Sequence, residues 1–335
     1  MTHPSAPTQA DPARLARALW FPAAGRCTLQ TEALPVPGPD EVELRMLFSG
    51  ISRGTEHLVF EGRVPPSEHA RMRGPHMGGS FPFPVKYGYC AVGEVVDGVA
   101  ALVGQRVFCL HPHQDRATVA AAAVLPLPAA LPAGRAVLAA NMETALTIVW
   151  DAGIQPGDDV AVFGAGVVGA LVAYLASRIV GTQVVLVDPN PDRGVLASRL
   201  GLRRVAPGTL EGPFDVLINA SAAPAALTEA ITLAGQEARI VEASWYGDRQ
   251  VSLPLGGAFH ARRLSLVSSQ VGAVPASRSV RWSYRRRLAK ALDLLCDPAL
   301  DALISGETRL VDLPDAYPAI LADPHTLCHR ISYDA

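Results

Sequence analysis

The chain has 335 residues, room for two domains, and its 29 Lys and Arg against 31 Asp and Glu leave a formal net charge of −2 with His neutral. That balance excludes a general attraction to nucleic acid or to an anionic membrane. The five cysteines, Cys27, Cys90, Cys109, Cys296 and Cys328, are scattered without CxxC spacing, which predicts reduced thiols in a cytoplasmic setting rather than a disulfide framework.

The opening MTHPSAPTQADPARLA lacks a basic start followed by an apolar segment, so it is expected to be a mobile tail over residues 1–17 and not a secretory signal. Residues 18–48 are short strand-like runs broken by Pro and Gly. A long loop rich in Gly, Pro, Arg and His follows at 62–84, then strand-like patterns at 85–96 and onward through Val124. This first part predicts an all-β unit, a small barrel. A helix is expected over 135–152, closed by Gly153.

The stretch 158–188, DDVAVFGAGVVGALVAYLASRIVGTQVVLVD, is the most informative in the chain. An apolar strand leads into Gly164, Gly166 and Gly169 at GxGxxG spacing, then a helix, then a second strand ending in Asp188. Gly164 allows the tight turn, Gly166 lets backbone approach a pyrophosphate, and Gly169 lets helix and strand pack closely. The first helical N–H groups, at Val167 and Val168, would face the phosphates. Asp188 would accept both ribose hydroxyls, favouring NAD over NADP, whose 2′-phosphate it repels. The apolar run 160–180 approaches the length of a membrane span, but three glycines and the strand that follows argue against one. After Asp188, a helix near Asp192 and Arg193, strands at 214–221, 238–245 and 264–269, and the helix between the first two of these predict a doubly wound parallel sheet. An amphipathic helix from Ser283 and a last strand near residues 327–334 close the chain.

The order of these parts, with SGIS at 49–52, GYCAVGEVV at 88–96, GQRV at 104–107, ETAL at 143–146 and GAGVVG at 164–169, resembles the medium-chain dehydrogenase/reductase superfamily over nearly the whole chain. The resemblance implies an α/β architecture: a GroES-like β-barrel catalytic domain (18–145 and 278–335) with an inserted Rossmann domain (146–277). It further implies hydride transfer in the cleft between them and a homodimer joined along 264–271. Zinc-dependent members carry metal ligands at the positions of Ser52, Tyr89 and Ala140, and Ser, Tyr and Ala cannot supply a zinc site. No metal is therefore expected. The SGISRGTEHL stretch resembles a zinc-lacking branch that includes the dehydrogenase acting on the hydroxyethyl side chain in bacteriochlorophyll synthesis.

Without zinc, some other group must handle the proton. Tyr89 is a proton donor or simply fills the vacated volume. Ser52 orients the substrate or satisfies a turn. Glu56 and His57 relay a proton, or are a helix-start carboxylate and a surface imidazole. Lys86 and Tyr87 are weaker candidates. Thr144 matches a position facing the nicotinamide in the family, or bonds back to a helix carbonyl. Ser221, Ser244, Trp245 and Ser269 lie at strand ends, where ligands bind in open α/β sheets, and His260 is a further candidate for the same cleft. Cys109, His111 and His113 alternate onto one face, but Pro112 between the two imidazoles favours a structural role over a metal site. Arg63, Arg71, Arg73 and Lys86 in or beside the long loop clamp an anionic or heteroaromatic substrate, or belong to a solvated mobile loop. Arg278, Arg281, Arg285, Arg286, Arg287 and Lys290 oppose the dipole of the last long helix, so an interface, an anionic ligand or a solvated face stays open. Three functions follow: NAD-linked alcohol/carbonyl oxidoreductase on a small molecule, NADPH-dependent reduction of an activated C=C bond, or a nucleotide-binding sensor.

Overall fold

The computed structural model describes residues 14–333. Most of the expected tail lies outside them, and its boundary is corrected, because residues 15–17 already belong to the strand Leu15–Ala23.

Six parallel strands form one sheet in the order Arg203–Val205, Gln183–Val187, Asp159–Phe163, Phe214–Asn219, Ala234–Glu242, Ser265–Ser268. The chain starts in the middle, winds outward one way and then returns to wind the other way. The switch point therefore lies beside Asp159–Phe163, where a crevice opens at the carboxyl ends of the strands. The helix Val167–Ala176 is buried from Gly169 to Ala176, which explains its membrane-like apolarity. Among the described residues no helix is long and apolar enough to cross a membrane.

The second body is a β unit made from both ends of the chain. The strand Glu41–Ile51 pairs along one edge with Ala91–Gly98 and along the other with Arg116–Ala120 and with Cys328–Ser332 from the C-terminus. A smaller sheet joins Arg26–Ala33, Leu15–Ala23, Val85–Lys86 and Gly78–Gly79.

Two local expectations change. The helix expected at 135–152 is two helices, Ala133–Ala136 and Ala139–Ala152, the second starting at Leu138, whose ψ of −2° departs from helical values; Gly153 at φ 66° ends it as expected. The domain boundaries at 145/146 and 277/278 cut through packed elements. The helix Ala139–Ala152 crosses the first, and the helix Tyr284–Leu294 buries Leu288, Ala291 and Leu292 in the same core as Met142 and Leu171. The chain rejoins the barrel sheet at Ile304–Arg309.

Candidate active site

The glycine loop has the shape its spacing predicts. Gly164 sits at φ +98°, and a Cβ there would stand 2.9 Å from Ser221 Cα. A Cβ on Gly169 would stand 1.9 Å from the Gly164 carbonyl oxygen, so any side chain would force helix and loop apart. A Cβ on Gly166 would meet nothing within 4 Å, so this side of the loop is open. The helix begun by Val167 and Val168 has no side-chain cap, leaving its first N–H groups and the positive end of its dipole toward that opening. Asp188 braces the loop: Oδ2 accepts the Ala165 N–H at 2.7 Å and Oδ1 the Asn190 N–H at 2.8 Å. Three cations lie close by, and one of them, Arg204, donates to the Asp188 carbonyl. Arg53 donates to the Leu321 carbonyl at 2.9 Å, and Arg193, 8% exposed, donates to the carbonyls of Pro324 and His325. Burial pulls the Arg193 pKa down, Asp188 raises it and Arg53 lowers it, so the three charges share one neighbourhood. These residues fit a dinucleotide.

The hydroxyls around the cleft are engaged with protein. Thr144 Oγ1 donates to the Ala140 carbonyl at 2.9 Å. Ser221 Oγ donates to Asn219 Oδ1 at 2.6 Å, Ser244 Oγ accepts the Ala222 N–H at 2.9 Å, and Ser269 Oγ donates to Asp151 Oδ2 at 2.6 Å. Trp245 packs against the core of the barrel. Helix Ala139–Ala152 is also tied to the segment after the last parallel strand: Arg287 bonds Glu143 Oε1 at 2.9 Å and donates to the carbonyls of Val271 and Ala273. That removes Arg287 from the free cationic cluster.

On the barrel side, Ser49–Ser52 turns directly into the helix Arg53–Phe60. Asn141 Nδ2 stands 3.4 Å from Ser52 Oγ. Burial pushes the Tyr89 phenol well above its usual pKa, with Cys90 and Tyr87 adding to the rise, while side-chain hydrogen bonds with Ser52 and Thr55 oppose it. Behind Ser52 runs a buried chain of polar groups. Glu56 accepts the Ser52 N–H at 2.7 Å through Oε1, and through Oε2 takes His113 Nε2 at 2.9 Å and the Tyr317 hydroxyl at 2.6 Å. His113 Nδ1 is 2.8 Å from Ser49 Oγ, itself 2.7 Å from the Tyr333 hydroxyl. Burial alone would raise the Glu56 pKa, but the His113 charge and these hydrogen bonds outweigh it and hold the carboxyl below its ordinary value. Gly88, at φ +123°, is where it is because a Cβ would stand 3.0 Å from His113 Nε2.

No protein-family model matches the chain. Over 312 residues, 87% of this chain and 90% of the relative, it is 26% identical to 2-desacetyl-2-hydroxyethyl bacteriochlorophyllide A dehydrogenase of Rhodobacter capsulatus. A crystal structure of 2R,3R-butanediol dehydrogenase from Bacillus subtilis superposes with a TM-score of 0.77 at 19% identity, covering 95% of this chain and 100% of that one. An alcohol dehydrogenase from E. coli CFT073, complexed with NADH, gives 0.76 at 17%, over 95% and 99%. The fold is that of the medium-chain dehydrogenases/reductases.

Within the medium-chain fold the sequence-derived residues separate into groups. The glycine loop and Asp188 form one constellation, and Ser52, Thr55 and Tyr89 form another. Glu56 is neither a solvated helix-start carboxylate nor in the open cleft: it is 0% exposed and backs the Ser52 turn. His57 is half-buried and its side chain has no hydrogen bond among the described residues. The CxHxH run does not converge, since Cys109 lies in the apolar core, His113 serves Glu56, and His111 bonds the Pro112 carbonyl. No group of three or more His, Cys, Asp or Glu among the described residues is arranged to hold a metal ion. Sequence reading missed that Arg53 and Arg193 lie near Asp188. Their signals were an Arg directly after Ser52 and an Arg five residues after the strand-end acid.

Proposed function

We propose that the protein is a zinc-independent, NAD-linked oxidoreductase that interconverts an alcohol and a carbonyl compound by hydride transfer in the interdomain cleft. The observation that carries this reading is the side-chain set at the metal positions of the fold. Ser52, Tyr89 and Ala140 offer hydroxyls and a methyl where zinc needs thiolate, imidazole or carboxylate, and the Ser52 hydroxyl faces Asn141 Nδ2 at 3.4 Å. The relative named for a hydroxyethyl substrate and the neighbour complexed with NADH support alcohol chemistry.

Bound in the cleft, a nicotinamide supplies or accepts the hydride. The chain does the rest. The open face at Gly166 and the N–H groups of Val167 and Val168 receive the pyrophosphate, with Arg53 and Arg193 adding positive charge. Asp188 takes the ribose hydroxyls and disfavours a 2′-phosphate. Tyr89 Oη, kept protonated at neutral pH by burial, donates to the substrate oxygen as charge develops on it, with Ser52 and Thr55 hydroxyls next in line. The unpaired state of all five cysteines supports a reducing, cytoplasmic setting, and the edge strand Ser265–Ser268 supports pairing with a second copy.

The test is a metabolite screen with NAD and then NADH, seeking a pair that differs by two hydrogens, followed by Tyr89→Phe. The variant should lose roughly 10²–10³ in kcat while its NADH Kd stays put. Stoichiometric zinc whose chelation abolishes turnover overturns the zinc-free reading, and a fully active Tyr89→Phe removes Tyr89 from the chemistry. Tighter binding of NADPH than of NADH overturns the assignment to Asp188.

A further inference from the structure

The strands Ala91–Gly98 and Arg106–Cys109 pair Ala91 with Cys109, and beyond their ends the His113 N–H reaches the Tyr87 carbonyl at 3.4 Å. Between these two links lie three residues on each side, 88–90 and 110–112, so the backbone at Tyr89 runs alongside the backbone at His111.

The chemistry of that imidazole is fixed by its partners. His111 is 4% exposed, and its Nδ1 lies 3.0 Å from the Pro112 carbonyl oxygen, which can only accept. Nδ1 therefore carries the proton. Burial presses the pKa down to about 3, and His76, Lys86 and His113 press with it against the Pro112 bond. The ring is neutral at working pH and Nε2 is a bare lone pair. Nε2 has no hydrogen-bond partner among the described residues. His76 covers the ring face, with centroids 5.1 Å apart and planes at 30°. Stacking occupies the face only; the Nε2 lone pair points along the ring plane and remains addressable from the edge.

The cations that sequence reading assigned to an anion clamp are already engaged. Lys86 Nζ bonds Glu32 at 2.6 Å and Gln114 at 2.8 Å. Arg73 donates to the carbonyls of Met77 and Gly79, Arg63 pairs with Asp248, and Arg71 pairs with Glu68. What remains at His111 is an acceptor, which meets a hydroxyl favourably and a carboxylate oxygen unfavourably.

We propose that His111 Nε2 is a substrate-recognition site that accepts a hydrogen bond from a second hydroxyl of an uncharged substrate, selecting diols and hydroxy-carbonyl compounds over simple alcohols and hydroxy acids. The proposal rests on the oxidoreductase reading, with Tyr89 at the reacting oxygen. A site built around a buried acceptor penalises the analogue that leaves it unpaired.

The experiment compares 2,3-butanediol with 2-butanol, 1-phenyl-1,2-ethanediol with 1-phenylethanol, and 3-hydroxybutyrate as the anion. The wild type should favour each diol by roughly tenfold or more in kcat/KM, with the hydroxy acid poorest. His111→Phe, which keeps a flat ring without the acceptor, should bring the diol-to-alcohol ratio near unity and leave NADH affinity unchanged. A ratio unchanged in His111→Phe overturns the proposal, and so does a wild type with no diol preference. Inactivity on every pair, in a protein that does exchange two hydrogens with metabolites, overturns the substrate class and spares the oxidoreductase reading. Full turnover by Tyr89→Phe overturns Tyr89's role instead. If His111→Phe does not fold, nitrogen NMR of labelled wild type with NADH reads the site directly: Nε2 should shift on adding a diol and not its mono-alcohol, and no difference overturns the proposal.

Discussion

The glycine loop at 164–169 is shaped by backbone, and the pocket at Ser52 and Tyr89 by side chains. In the loop the decisive feature is missing atoms: no Cβ on Gly169, where one would stand 1.9 Å from a carbonyl oxygen, and none on Gly164. In the pocket the decisive features are hydroxyl, carboxylate and imidazole groups held by one another, from Tyr89 through Ser52 to Glu56 and His113. A backbone site tolerates nothing larger at its glycines but accepts much variation around them. A side-chain site can change its chemistry residue by residue while the fold stays put.

The largest expected effect breaks the loop. Gly169→Val puts two extra methyls where even a Cβ overlaps the Gly164 carbonyl, so the helix must leave the strand. NADH binding, followed by fluorescence titration, should be lost altogether and the melting midpoint should fall. A variant that binds NADH as tightly as the wild type would mean the loop is not held by close packing.

That contrast explains what was legible in the sequence. Gly164, Gly166, Gly169 and Asp188 are read from local spacing, because each requirement is met within a strand, a turn and a helix. The alternation of strands and helices likewise gives the parallel sheet. Glu56 is different. Its partners His113 and Tyr317 lie 57 and 261 residues away, so nothing near Gly54 and Thr55 says that the carboxylate is buried. The packing of the last long helix was hidden for a related reason: the amphipathic helix Tyr284–Leu294 shows an apolar face in sequence, but not that the face packs on helix Ala139–Ala152. The pairing of the basic loop's cations was not legible, because Lys86, Arg71 and Arg63 are matched by Glu32, Glu68 and Asp248, two of them distant in sequence.

The next effect separates the two regions. Glu56→Ala orphans the Ser52 N–H, the Tyr317 hydroxyl and His113 Nε2, with Tyr317 and His113 fully buried. Each buried donor left unsatisfied costs roughly 1–3 kcal/mol, read as a lower urea midpoint. Its pH dependence has a definite sign. The folded pKa of Glu56 lies below its unfolded value, so its stabilisation is complete above the ordinary carboxylate value of about 4.3 and drains away as pH falls through the lower folded value. The gap between wild type and variant should therefore be constant from neutrality down to mildly acidic pH and shrink only in stronger acid. A gap that grows on acidification would mean Glu56 is protonated in the fold. NADH affinity should survive wherever the variant is folded, since Glu56 touches no part of the glycine loop.

The smallest effect lies where the two regions meet. Thr144 stands on helix Ala139–Ala152 beside Glu143, and its hydroxyl donates to the Ala140 carbonyl at 2.9 Å. A hydroxyl engaged with its own helix adds little to either site. Thr144→Val keeps the branched shape and deletes only that donor, so stability should move by about 0.5 kcal/mol or less and the NADH Kd by roughly twofold at most. If the Kd instead rises tenfold or more with stability unchanged, the hydroxyl must leave Ala140 for the nicotinamide when the cofactor binds. Thr144 would then be the one side chain through which the backbone-built cofactor site depends on side-chain chemistry.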